Sequence, residues 1–325
     1  GRKVVRVRHL GAALLTAMLT VALVASMAAA ALWQQWRGVE VEVAERTRSQ
    51  SLWVLTGALD WARLILREDA RAGGADHLGE PWAVPLEEAR LSTFLATDKA
   101  TATDTTEVSA QVFLSGRITD LQGRLNVMNL VENGKVSAPW LLAFSRLFEQ
   151  LGLPPAELTA VAENLRFAQD NAAENGSSPL APLLPQRVGQ LRWLGLSEVS
   201  LAKLGGYITV LPARTPVNLN TASVAVLYAA IPTLDMAQAQ RLANNRQSGH
   251  FRTLLDAGKV APEIAGELTD ALHSVNSRFF EVQGRLRMEQ AVVEERSVVQ
   301  REGLNVRTLW RERGGNPAVK PAALQ

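Results

Sequence analysis

The sequence predicts an α+β fold in which a long first helix packs on an antiparallel sheet and a large all-helical domain is inserted in that sheet. Three observations predict it. The chain opens on an unbroken apolar run that leads into an apolar stripe at helical spacing. Strand-like alternation appears within 91–131 and returns after residue 278. Between these regions, from about Ser137 to about Ser277, nearly every segment has a helical pattern.

The 325 residues are 47% hydrophobic, a globular composition with room for a real core. The net charge of +2 misleads, because Arg2, Lys3, Arg6 and Arg8 all precede Gly11 and no acid does. Without those four the chain holds 30 basic against 32 acidic side chains, which argues against nucleic acid or anionic lipid as its main ligand. There is no cysteine, so disulfides, thiolate metal sites and cysteine nucleophiles are excluded.

From Leu10 to Trp33 no side chain is charged, and about 20 such residues cross a bilayer core. The basic group before the run belongs on the cytoplasmic side, which sends the rest of the chain across the membrane. Trp33 and Trp36 follow the run and suit the membrane interface as anchors. Three readings of the segment stand. It is a cleaved secretory signal ending in the small residues of "SMAAAA", a plain single-span anchor, or a helix retained behind a short leader ending at Gly11.

Beyond Trp33, Leu52, Leu55, Leu59, Ala62 and Leu66 recur at spacings of three and four, so the helix continues, and the strand-like alternation of Val39, Val41 and Val43 is overridden. "RAGGADHLGEP" ends it with glycines and a proline. Residues 91–131 read as extended structure around the polar loop "TDKATATDTTE". At the other end, Phe280, Val282, Leu286 and Met288 alternate with polar residues, as do Leu304, Val306, Thr308 and Trp310 after "REG", which predicts two antiparallel strands. The fragments "DLQGRLNV" and "EVQGRLRM" echo each other as candidate strands of one sheet. Inside the helical region, "APWLLAFSRLFEQLGLPPAELTAVAENLRFAQD" reads as two helices, "NAAENGSSPLAPLLPQ" as a surface loop, and Trp140 and Trp193 as core.

"VNLNTASVAVLYAAIPTLDMAQAQRLANNR" resembles the helix-hairpin-helix modules of DNA-binding proteins, with Asn220 and Thr221 as cap residues for the following helix. The turn "IPTLDMA" lacks the glycine that lets a backbone approach phosphate, and Asp235 would repel it. Residues 217–275 carry Arg241, Arg246, Arg252 and Lys259 against Asp235, Asp256, Glu263, Glu267 and Asp270, so their surface is not basic.

A basic leader ending in Gly11 ahead of an apolar helix resembles the leader of type IV pilins and pseudopilins. Counted from Ala12, the fifth residue is Thr16, where most members of that family carry glutamate. Together with "EPWAVPL", "ITDLQGRLNVMNL", "VNLNTA" and "SRFFEVQGRLRM", this pattern resembles the general secretion pathway protein K family of minor pseudopilins over almost the whole chain. The resemblance implies a pilin-like body, cleavage by a prepilin peptidase between Gly11 and Ala12, and methylation of Ala12. It implies a place in the type II secretion system at the tip of the pseudopilus. The implied partners are minor pseudopilins I and J, with minor pseudopilin H, major pseudopilin G and inner-membrane lipid, and no nucleic acid. Residues 1–11 are then the leader, 12–33 the membrane part of the helix and 34–70 its periplasmic part. The body comprises 71–136 and 278–313, the helical insert 137–277 and a loose tail 314–325.

No enzyme is expected. His9 lies in the leader, and His77, His250 and His273 stand in polar surroundings without a "GxSxG" or "HExxH" pattern. The resemblance implies calcium in the soluble part, but no twelve-residue EF-hand loop is present and the ligands are unknown. Two other readings are a membrane-anchored helix-hairpin-helix DNA-binding protein and a periplasmic enzyme freed near Leu32.

Overall fold

A computed structural model describes residues 9–91, 112–173, 181–288 and 291–314. The chain divides into two compact units, one ending at Thr56 and the other beginning at Gly57. Helix α1 runs His9–Ala72, so the valine alternation near residue 40 is helical. Within it, Ala13–Val39 is long and apolar enough to cross a membrane, and none of it is buried. Arg37 lies 4.8 Å over the ring of Trp33 one turn away, and both Trp33 and Trp36 are exposed.

In the second unit the sheet holds β1 (Leu86–Arg90), β2 (Val112–Asp120), β3 (Phe279–Met288), β4 (Ala291–Glu302) and β5 (Asn305–Arg313), in that spatial order and antiparallel throughout. The first strand begins at Leu86, earlier than the extended region expected from residue 91. Alternation puts Phe280 and Val282 on one face, where they meet Leu59, Ala62 and Leu66 of α1 together with Val299 and Val306. Trp82 sits edge-on to Phe280, ring centroids 5.2 Å apart. Phe279, pointing the other way, packs with Leu121, Leu211 and Val298 and ties the insert to the sheet.

Two sequence expectations are corrected here. The closing strands do not pair with each other, because β4 lies between them and pairs with both. The pattern "AVVEERSVVQRE" hid this strand: Glu295, Ser297 and Gln300 are buried, so polar residues occupy inward positions. Nor are the echoing fragments matching strands. "EVQGRLRM" lies in β3, but "DLQGRLNV" starts at the last residue of β2 and turns through a short 3-10 segment, Leu121–Gly123. A Cβ on Gly123 would stand 2.8 Å from Thr221 Oγ1 and 3.0 Å from its backbone, so the insert approaches more closely than any side chain permits.

The chain leaves the sheet after Asp120 and returns beside it, since Asp120 pairs with Phe280. An insert with adjacent ends need not disturb the strands. Its helices are α2 (Ala138–Gln150), α3 (Pro155–Ala173), α4 (Glu198–Leu204), α5 (Val224–Ala230), α6 (Met236–Ser248) and α7 (Leu254–Val260). Its core already includes Leu125, Val127, Leu130 and Val131, so the block starts near Leu121 and not at Ser137. Arg146 of α2 donates to the carbonyls of Tyr228 and Leu234 and stacks over the Tyr228 ring at 4.0 Å, closing the C-terminal end of α5. Trp140 is buried as expected, but Trp193 is 42% exposed on the short 3-10 helix Val188–Leu194, whose inward positions go to Leu191 and Leu194.

Candidate functional site

The most heavily bonded polar cluster lies where the insert meets the sheet. Asp120, the last residue of β2, is 5% exposed, and its Oδ2 accepts from Ser277 Oγ at 2.6 Å, Thr221 Oγ1 at 2.6 Å and Asn218 Nδ2 at 3.0 Å. Its Oδ1 accepts from the backbone of Gln122, which caps the turn that follows. Burial pushes the Asp120 carboxyl above its ordinary range, and these four donors offset only part of that.

Asn218 is the hub on the insert side. Its amide also donates to the Asp76 carbonyl and to Ser277 Oγ, and its Oδ1 accepts from Asn220 N. A two-residue parallel bridge, Val217–Asn218 beside His273–Ser274, holds it in place. Asn220 makes a reciprocal pair with the Phe251 backbone, donating to its carbonyl and accepting from its N–H, both at 2.9 Å. Neither Asn220 nor Thr221 therefore caps the next helix. That role belongs to Ser223, whose hydroxyl accepts from Val226 N, while Asn220 and Thr221 are drawn away to Phe251 and Asp120. Asn126 and Asn129 read the backbone around Ala213 and Thr215 in the same manner.

On the sheet side, Arg301 of β4 bonds to Asp69 of α1 at 2.6 Å, to Asp76 and to the Ser277 carbonyl. Asp76 in turn accepts from Ser277 N at 2.7 Å. Burial raises the Asp76 pKa to about 6, against the pull of Arg301. Glu80 accepts from His77 N and from the Trp82 indole N–H. Burial, reinforced by the charge of Asp69 and a hydrogen bond shared with it, lifts Glu80 to about 7. For Arg301, burial acts to lower the pKa but the two aspartates outweigh it, so the guanidinium is held charged.

Asp69, Asp76 and Glu80 bring carboxylate oxygens within 4.8 Å of one another, the one such grouping among the described residues. It does not fit calcium. Arg301 already supplies the positive charge between two of the three, Glu80 is engaged by two N–H donors, and calcium needs six to eight oxygens. The stretch "TDKATATDTTE" lies outside the described residues.

The histidines are not uniformly in polar surroundings. His273 is buried, with Nδ1 accepting from Thr269 N and Nε2 against the Ala230 carbonyl at 3.2 Å, a network that assigns the proton to Nε2. Burial lowers its pKa. His77 and His250 stack with ring centroids 3.7 Å apart. In the helix-hairpin-helix-like stretch, Asp235 caps α6 through Gln238 N, and Arg246 turns inward to the Leu219 carbonyl. The residues at 11, 12 and 16 share α1 with the apolar span, and the Thr16 hydroxyl donates to Ala13 O at 2.9 Å.

Comparison with known proteins matches most of the insert. Two family models, each described as type II secretion system (T2SS) protein K, match residues 123–213 and 217–276. The type II secretion system protein K of Pseudomonas aeruginosa is 28% identical over 330 residues, 95% of this chain and 91% of that protein. The chain is thus similar to type II secretion system protein K over nearly its whole length. The protein K of Pectobacterium carotovorum subsp. carotovorum is 24% identical across 97% of the chain and all of that protein. A solved structure, the GspK-GspI-GspJ complex from the enterotoxigenic Escherichia coli type 2 secretion system, contains a chain with the same fold. It superposes with a TM-score of 0.63 at 19% identity, covering 84% of this chain and 98% of that one. One of the two family models opens on Val217 and spans Asn218, Asn220 and His273.

Proposed function

We propose that this protein is a non-enzymatic minor pseudopilin of a type II secretion system, held in the inner membrane by the Ala13–Val39 span with its second unit in the periplasm. Cleavage after Gly11 leaves Ala12 as the first residue of the mature helix. It joins minor pseudopilins I and J at the pseudopilus tip, a reading supported by the complex in which its structural relative was solved.

The observation that carries the tip position is Thr16. A glutamate there would offer a charge to the amine of another subunit in a low-dielectric setting, where such a pair is strong. Threonine offers none, and its hydroxyl is bonded back to its own helix. A subunit so built starts or ends a stack. In this reading the inserted helices, which leave and rejoin the sheet at Asp120 and Phe280, block addition of a further subunit. Proton and group transfer have no part in this work, and the chain contributes packing surfaces alone.

The N-terminus of the native protein tests this reading. Mass spectrometry is expected to find it at Ala12, and Gly11→Lys is expected to leave an uncut precursor and stop secretion. A native terminus near Leu32 would instead indicate a cleaved signal and refute the proposal.

A further inference from the structure

The turn after α1 meets the insert through a pair of imidazoles. His77 lies in that turn, and His250 lies between α6 and α7. Their rings are 8° from parallel with centroids 3.7 Å apart, and both residues are half-buried. The His250 ring engages His77 alone, with no hydrogen bond or ion pair to it among the described residues. His77 is fixed from its own side as well. Its Nδ1 accepts from Gly79 N at 3.1 Å, which assigns the proton of the neutral ring to Nε2.

Charging the pair undoes both arrangements. A proton added to His77 enters at Nδ1 and displaces the Gly79 N–H. One imidazolium can rest on the face of a neutral ring, but two at this separation repel. The surroundings do not neutralise them in the range where histidine charges. On the α1 side Asp69 acts to raise the His77 pKa, yet burial and the charge of His250 outweigh it, and Asp69 is bonded to Arg301. Asp76 and Glu80, lifted to about 6 and about 7, lose their charge in that same range. Glu68 pairs with Arg71. On the insert side Arg246 turns to the Leu219 carbonyl, Arg252 is exposed, and Asp256 is held by Thr253 and Lys259. Arg301 keeps its charge throughout. Acidification therefore sets His77, His250 and Arg301 against Asp69, where at neutral pH the carboxylates prevail.

We propose that the His77–His250 stack is an acid-sensitive latch, holding the α6–α7 corner of the insert against the turn after α1 while at least one ring is neutral and releasing it when both are charged. Asn220 still clamps Phe251, the next residue, so release loosens this corner without detaching the insert.

Hydrogen exchange on the full chain in non-ionic detergent tests it, with rates corrected for the intrinsic effect of pH. Between about pH 8 and about pH 5, amides of residues 77–79 and 249–250 are expected to lose protection roughly tenfold, the scale of like-charge repulsion at this separation in a largely aqueous setting. No such loss in the unaltered chain overturns the proposal, and that measurement needs no variant. His77→Phe combined with His250→Phe keeps two stacked rings that cannot charge, and should abolish the acid response. His77→Phe alone leaves one imidazolium on an aromatic face, so residues 249–250 should stay protected. An acid response as large as that of the unaltered chain in either variant would assign it to the carboxylates and refute the latch. Helix α5 is the internal reference, and equal acceleration there would mean general acid unfolding in place of local release.

Discussion

The span Ala13–Val39 and the inserted helical block invert each other's chemistry. In the span, Leu14, Leu19, Leu23 and Met27 are exposed, while Thr16, Thr20 and Ser26 return their hydroxyls to carbonyls of the same helix. In the block, Asn126, Asn129, Asn218 and Asn220 are buried, and each is bonded to backbone far away in sequence. Both regions obey one requirement, that polar groups removed from water find partners. The span meets it within its own turns, which is what lipid demands of a helix. The block meets it only through distant neighbours, so its irregular loops exist only when the whole block is folded.

The sharpest way to break this contrast is at the junction. Asp120→Ala leaves the donors of Ser277, Thr221, Asn218 and Gln122 without their acceptor, and should cost about 3–5 kcal/mol, the range for disrupting a buried charged network. Denaturant melts of the detergent-solubilised chain would show it, and a loss under about 1 kcal/mol would mean that water replaces the carboxylate easily. Next in size, Leu19→Arg sets a charge within the span at a cost of roughly 2.5–3.5 kcal/mol. Carbonate extraction should then release more of the protein from membranes, and unchanged retention would count against a membrane role for this segment.

A smaller effect separates pH from packing. Folding raises Glu80 to about 7 and Asp76 to about 6, so the folded state binds more protons than the unfolded one between about pH 4 and 7. Their contribution is fully present below the unfolded carboxylate range and is lost as pH rises through 6 to 7. His273 runs the opposite way: its lowered pKa gives stability above the ordinary histidine value that is lost on acidification. Glu80→Gln keeps an acceptor for His77 N and the Trp82 indole without the charge. It should raise the melting temperature at pH 8 and leave it nearly unchanged at pH 5. A decrease at pH 8 would show that the ionised carboxylate is favoured there. Least of all, Trp193→Ser should shift stability by no more than about 0.5 kcal/mol, as an exposed position does.

The elements legible in the sequence are those whose periodicity follows burial. Leu59, Ala62 and Leu66 of α1 keep the spacing their burial requires, and so do Phe144, Leu147 and Phe148 of α2. The strand β4 was illegible for the complementary reason. Glu295 is buried because Arg311 and Arg313 of β5 neutralise it, and no local pattern announces a partner on another strand. Asn220 and Thr221 showed the same blindness. Their types suit a helix cap, yet Asp120 and Phe251 claim them from 101 and 31 residues away.

By itself, then, the sequence determined the apolar span, the long helix, the α+β class and the helical nature of the insert, because each depends on residues within a few turns of one another. Only the tertiary structure decided where the insert begins, which polar side chains lie inside it, and which carboxylates share Arg301. Those outcomes depend on groups that meet only after the chain has folded back on itself, where loss of water makes each unpaired donor or charge costly enough to select its partner.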